Sequence, residues 1–121
     1  MAPDVSDDVA LVQELVAAVP ELEELYEVHV FNQHGTLPHI FFWDMTQDVL
    51  ASYQEDDGPD ALWRQTLAFL ERRFGGSREA DAVIGTSFLY SLPWPGQPGY
   101  GIVEELGPTL RRVFSEVRPG G

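Results

Sequence analysis

A chain of 121 residues, 44% hydrophobic and 12% aromatic, is long enough to bury one continuous core and too apolar for a disordered acidic tail. Its net charge of −13 is unevenly placed: the first 60 residues carry fourteen acids and no lysine or arginine, and the remainder holds all seven arginines against six acids. Such a field repels nucleic acid and anionic membrane and attracts a basic partner, while the lack of cysteine excludes disulfides, thiolate metal sites and thiol catalysis.

Pro and Gly punctuate the chain, and between them apolar residues recur at spacings of three and four, which predicts an all-α domain of five to six short helices packed as antiparallel hairpins. Ser6 reads as an N-cap with Asp7 and Asp8 behind it, opening a helix over 7–18 with Val9, Val12, Leu15, Val16 and Val19 on one side. Pro20 opens a second helix over 20–34, with Leu22, Leu25, Tyr26 and His29 inward, and Gly35 closes it. A third helix is expected over 41–54, with Phe42, Met45, Val49 and Tyr53 on one side. The competing reading pairs Tyr26–Phe31 with His39–Trp43 as a β-hairpin, since both stretches are rich in β-branched or aromatic residues.

Pro59 reads as the first residue of a fourth helix over 59–74, after the EDDGPD turn; Trp63, Leu67, Leu70 and Phe74 face inward and Gly75-Gly76 closes it. Ser77 caps a fifth helix over 78–92, bearing Ala80, Val83, Ile84, Ser87, Phe88 and Ser91. The loop PWPGQPG precedes a sixth helix over 100–117, interrupted at Gly107-Pro108. Leu15, Leu25, Phe42, Trp63, Leu67, Phe88, Leu106 and Leu110 are the expected core. Residues 1–121 are expected as one domain, with 1–5 and 118–121 as flexible ends.

His29, His34 and His39 are spaced by five, which rotates each ring about 140° from the last, so one helix face cannot present them together to a metal; no metal or other cofactor is expected. Ser87 follows Gly85-Thr86, but Leu89 replaces the second glycine of a nucleophile elbow, so close helix packing is the expected role of Ser87 and Gly85. The adjacent acids Glu23-Glu24, Asp56-Asp57 and Glu104-Glu105 diverge by about 100° on a helix and do not form acid–base pairs. There is no GxGxxG, and the GGS at 75–77 lacks the lysine of a P-loop. No catalytic residue is assigned.

Three consecutive aromatics, Phe41-Phe42-Trp43, cannot all face one core, so one of them belongs at an edge or on the surface. Trp94 in the Pro/Gly loop is a candidate interface anchor or a lid over the fifth and sixth helices. The predicted partner-binding residues are Glu21, Glu23, Glu24, Glu27, Asp44, Asp48, Asp56, Asp57, Asp60 and Trp94, facing a basic protein.

The stretch LPHIFFWDMT and the run from SFLYSLPWPGQPGYG to ELGPTLRR carry a wider pattern. It comprises Leu37, Pro38, His39, Phe41, Phe42, Asp44, Phe88, Leu89, Leu92, Gly96, Gly99, Leu106, Gly107 and Pro108. The pattern resembles a family of small bacterial proteins known only as a domain of unknown function, over about residues 9–117. That family brings no catalytic assignment. Small, acidic, cysteine-free proteins of this kind are similar to the immunity proteins that neutralise bacterial toxins, which implies a non-enzymatic binding role. The alternative is a small-ligand-binding or hydrolytic domain with a pocket near His39 and Asp44.

The N-terminal MAPDVSDD lacks the basic region and apolar run of a signal peptide, so a cytoplasmic protein is expected. Abundant Ala, Gly, Pro and Arg without lysine point to a GC-rich bacterial source.

Overall fold

The first turn of the chain is held by an aspartate one residue inside it. In the computed structural model, which describes residues 5–121, Ser6 sits in the extended N-cap position of α1 (Asp7–Ala18) without a side-chain cap bond. Asp8 Oδ1 instead accepts the Val9 N–H at 2.9 Å. The expectation for the remaining N-terminal residues, 1–4, lies outside the described residues. Leu11, Val12, Leu15 and Val16 form the buried side of α1.

Pro20, lacking an N–H, starts only a 3₁₀ turn, Pro20–Leu22, and α2 proper runs from Glu23 to Gln33. His34 closes it in the left-handed region at φ 58°. Four residues later α3 begins, earlier than the sequence suggests, and runs Pro38–Glu55. Pro38 occupies the first helical position, where its missing N–H costs nothing, and it holds Leu37 extended before it. Both stretches of the alternative hairpin are therefore helical, and no strand occurs among the described residues.

The fourth helix starts later than expected. Pro59 lies in a turn in which Gly58 N–H donates to Asp56 Oδ1 at 2.8 Å and Ala61 N–H to Gly58 O at 3.1 Å, and α4 is Leu62–Arg73. The Trp63 indole N–H donates to Asp56 O at 2.7 Å and fastens that turn to the helix. Ser77 Oγ accepts the Ala80 N–H at 3.1 Å and caps α5, Arg78–Val83. The same helix then widens into a π-helical segment, Ile84–Leu89, beyond which Tyr90 N–H reaches back five residues to Gly85 O at 3.0 Å. Gly85 faces the final helix, where an added Cβ would lie 3.7 Å from Val117.

The expected sixth helix is broken at Gly107-Pro108 into a 3₁₀ stretch, Tyr100–Glu105, and α6, Pro108–Val117. Gly107 offers no capping side chain, so the cap comes from a neighbouring helix. Glu71 on α4 accepts Thr109 N–H at 2.9 Å and Leu110 N–H at 3.0 Å, one on each carboxylate oxygen. Burial raises the Glu71 pKa, but these backbone donors outweigh it and hold the carboxyl below its usual range.

α3 packs against α1, α2, α4, α5 and the π-helical segment, and so lies at the centre of the fold. Leu15, Phe42, Trp63, Leu67, Phe88, Leu106 and Leu110 are buried, whereas Leu25 is only half-buried. Residues 118–121, expected as a flexible end, are tied down. The buried Arg118 donates to Leu92 O and, at 2.9 Å, to Pro93 O; Gly121 O accepts the Tyr100 hydroxyl.

Replacing Glu71 with alanine leaves two N–H groups of α6 without their acceptor and should lower stability by about 1–3 kcal/mol in urea melts at pH 7. A depressed folded-state pKa makes this contribution complete above the ordinary glutamate value and lost as pH falls through the lowered one. The difference between wild type and Glu71→Ala should therefore shrink on strong acidification.

Candidate functional site: the outer strip of the third helix

Phe41, Phe42, Met45, Thr46 and Val49 form the buried side of α3, and at 100° per residue this fixes what the opposite side presents. Two edges result. Ile40, Trp43, Gln47 and Gln54 run along one; Asp44, Asp48 and Glu55 run along the other.

The acidic edge faces the turn before α2. Glu21, Asp48, Ser52, Glu55 and Asp56 line one shallow depression, and Pro20, Glu21, Glu23, Glu24 and Glu27 line the next. Glu21 belongs to both, so these acids form a continuous belt. Burial raises the Asp48 pKa and the neighbouring Asp44 charge raises it further. Asp57 and Asp60 are exposed on the adjoining turn, where Gln65 Nε2 donates to Asp60 O at 2.6 Å and approaches Glu21 at 3.4 Å. The ion pairs among the described residues are Arg73–Glu14, Arg111–Glu104 and Arg112–Glu116; none uses a belt acid.

Trp94 stands apart from the belt, on the far edge of α3. Trp43, Gln47, Tyr90, Pro93, Trp94 and Pro98 line an open cleft of about 480 Å³ there. Trp43 is 62% exposed, Tyr90 54% and Trp94 44%; Tyr90 and Trp94 meet edge to face with centroids 6.4 Å apart. The Arg118 guanidinium lies 3.7 Å from the Trp94 ring centroid and 4.8 Å from that of Phe114. Trp94 thus folds back against Tyr90 and Arg118, which follow the fifth and sixth helical segments, and keeps its outer side in solvent. On α2, Phe31 is 82% exposed and Val28 also faces outward.

A second concavity borders the aromatic cleft, lined by His39, Ile40, Trp43, Thr86, Ser87 and Ser91. His39 Nδ1 and Ser87 Oγ are 2.5 Å apart. His39 and Asp44, which the alternative reading put at one pocket, lie apart: His39 reaches across to the π-helical segment, while Asp44 lies on the acidic edge and acts electrostatically on Asp48 and His29. Ser87 is therefore buried, as its helical position suggested, yet it also holds a hydrogen bond to a neighbouring helix.

The three histidines have three separate roles. His29 is buried, and its Nε2 accepts the Leu37 N–H at 2.9 Å, which places its proton on Nδ1. His34 is the left-handed cap of α2, and His39 bonds Ser87. No group of three His, Cys, Asp or Glu side chains suited to a metal ion occurs among the described residues.

Trp43 was the aromatic excess visible in the sequence. Tyr90 carried no such signal, because a continuous α-helix over 78–92 does not anticipate the π-helical register that precedes it. Glu55 joins the depression through the longer extent of α3.

No family model, curated protein or solved structure matches this chain. No helix among the described residues is long and apolar enough to cross a membrane.

Desolvation lowers the His29 pKa, with Asp44 pulling weakly the other way. A depressed histidine pKa means that the unfolded chain takes up the proton more readily, so stability should fall as pH drops below the ordinary histidine value of about 6.5. Thermal melts from pH 7.5 to 5 should show this decline, and His29→Gln, which keeps an acceptor for Leu37 N–H, should flatten it.

Proposed function

We propose that this is a non-enzymatic binding domain whose acidic belt covers a basic protein surface, in the manner of a cytoplasmic bacterial immunity or antitoxin protein. The observation that carries the reading is the belt itself: Glu21, Glu23, Glu24, Glu27, Asp48 and Asp56 share adjoining depressions and none is neutralised by an arginine. A cationic partner gains most where acids lack internal partners, and a site built to hold phosphates on a nuclease toxin is such a surface. The resemblance to small bacterial proteins of unknown function belongs to the same proposal, as does the packing of five to six helices in antiparallel hairpins, which the short links favour.

Reversing Glu23, Glu24 and Glu27 to lysine should slow capture of the basic partner and leave the melting temperature close to wild type, because all three side chains are exposed. Stopped-flow association at increasing salt should show the wild-type rate falling towards that of the variant, as the Debye length shrinks from about 10 Å at 0.1 M to about 3 Å at 1 M. An association rate indifferent to both changes would remove the belt from the interface.

One contact favours a second reading, hydrolysis at the concavity beside Trp43. Ser87 Oγ and His39 Nδ1 are hydrogen-bonded, as a nucleophile and its base would be. No carboxylate hydrogen-bonds to His39 among the described residues, so the pair lacks the third group that orients a catalytic imidazole. A purely structural hydrogen bond predicts that a fluorophosphonate probe leaves Ser87 unmodified in intact-mass analysis. Labelling that disappears in both Ser87→Ala and His39→Ala would establish the hydrolytic reading instead.

A further inference from the structure

The aromatic cleft lies on the same helix as the acidic belt but is not part of it, and its chemistry is different. Trp43, Tyr90 and Trp94 are large rings left in solvent around one concavity. Exposed aromatic groups clustered in this way mark interaction sites. Gln47 and Ser91 supply hydrogen-bonding groups at its wall, and no Lys or Arg lines it.

We propose that this cleft receives an arginine side chain from the basic partner, its guanidinium stacked against Trp43 and Tyr90; the proposal rests on the reading of the belt as a surface for a basic protein. Charge complementarity selects the occupant. A second copy of the chain would set one net charge of −13 against another, and a neutral apolar segment would gain nothing from that charge. Arginine suits both features. Its planar guanidinium is more weakly hydrated than the lysine ammonium, stacks on π faces and keeps its charge under all ordinary conditions. The protein already makes this contact internally, with Arg118 held 3.7 Å from the Trp94 ring centroid. The π-helical segment precedes Tyr90, and the Arg118 contacts to Leu92 O, Pro93 O and the Trp94 ring hold the opposing wall.

The three tryptophans make the test specific. Trp63 is buried and bonded through its indole N–H to Asp56 O, so its indole NMR signal reports folding. Titrating the full chain with hexa-arginine amide should move the Trp43 and Trp94 indole signals through the cleft, whereas any shift of the Trp63 signal reports occupancy of the belt at Asp56. Trp43→Ala should weaken hexa-arginine by about tenfold, Trp43→Phe should recover most of the loss, and hexa-lysine amide should bind wild type more weakly than hexa-arginine.

Equal binding of the two peptides with no effect of Trp43→Ala would overturn the cleft proposal; the belt reading would survive if the triple lysine reversal weakened both. Loss of binding in Trp43→Ala but not in the triple reversal would keep the cleft and remove the belt. Displacement of the Trp43 and Trp94 signals by a neutral proline-rich peptide, with none by hexa-arginine, would overturn the cleft proposal. Failure of wild type to bind either cationic peptide would overturn both readings.

Discussion

A helix can bury only one side, and α3 buries Phe41, Phe42, Met45 and Val49 among α1, α2, α4 and α5. Removing any of these large side chains would open a cavity at the centre of the domain, where costs of about 2–5 kcal/mol are usual. The same burial fixes the rotation of α3 about its axis. Trp43 and Gln47 must then face the Pro/Gly loop while Asp44 and Asp48 face the start of α2. The separation of an aromatic edge from an acidic edge is thus a geometric result of core packing, not an independent feature of the surface.

The opposite wall of the aromatic cleft depends on a buried cation with no carboxylate partner among the described residues. Arg118 is only 2% exposed, and its compensation comes from two carbonyls and two aromatic faces. Those carbonyls belong to Leu92 and Pro93, so the guanidinium selects one path for the chain entering the loop. Arg118 Nε remains without a partner among the described residues, which leaves part of the desolvation cost uncompensated. Lysine could not replace it, since a point charge cannot bond two divergent carbonyls and also present a planar group to an indole.

Helical periodicity made most of the architecture legible. Spacings of three and four marked the helical segments, and Leu15, Phe42, Trp63, Leu67, Phe88, Leu106 and Leu110 lie in the core where those spacings put them. Boundaries were less legible where proline had two permitted positions. Pro38 starts a helix and Pro59 sits in a turn, a choice made by tertiary ties such as the Trp63 indole bond to Asp56 O. The excess of acids was visible at once, and so was the surplus aromatic among Phe41, Phe42 and Trp43. The cleft was not, because it requires the π-helical segment before Tyr90 and a loop wall fixed by a residue 24 positions beyond Trp94 in the chain. Long-range hydrogen bonds to backbone carbonyls leave no periodic trace.

The Glu71 cap has a bearing on how the domain opens. Gly107 is bare where the carboxylate enters: a Cβ there would stand 2.6 Å from the Glu71 carboxyl carbon. The chain therefore gives up local capping at the start of α6 and draws it from α4, 38 residues earlier. Fraying of α6 from its N-terminal end must break contacts with α4, and loosening of the last turn of α4 exposes the first amides of α6. The two helices should thus exchange their terminal amide protons as one cooperative unit, joining segments distant in sequence into a single step of local unfolding.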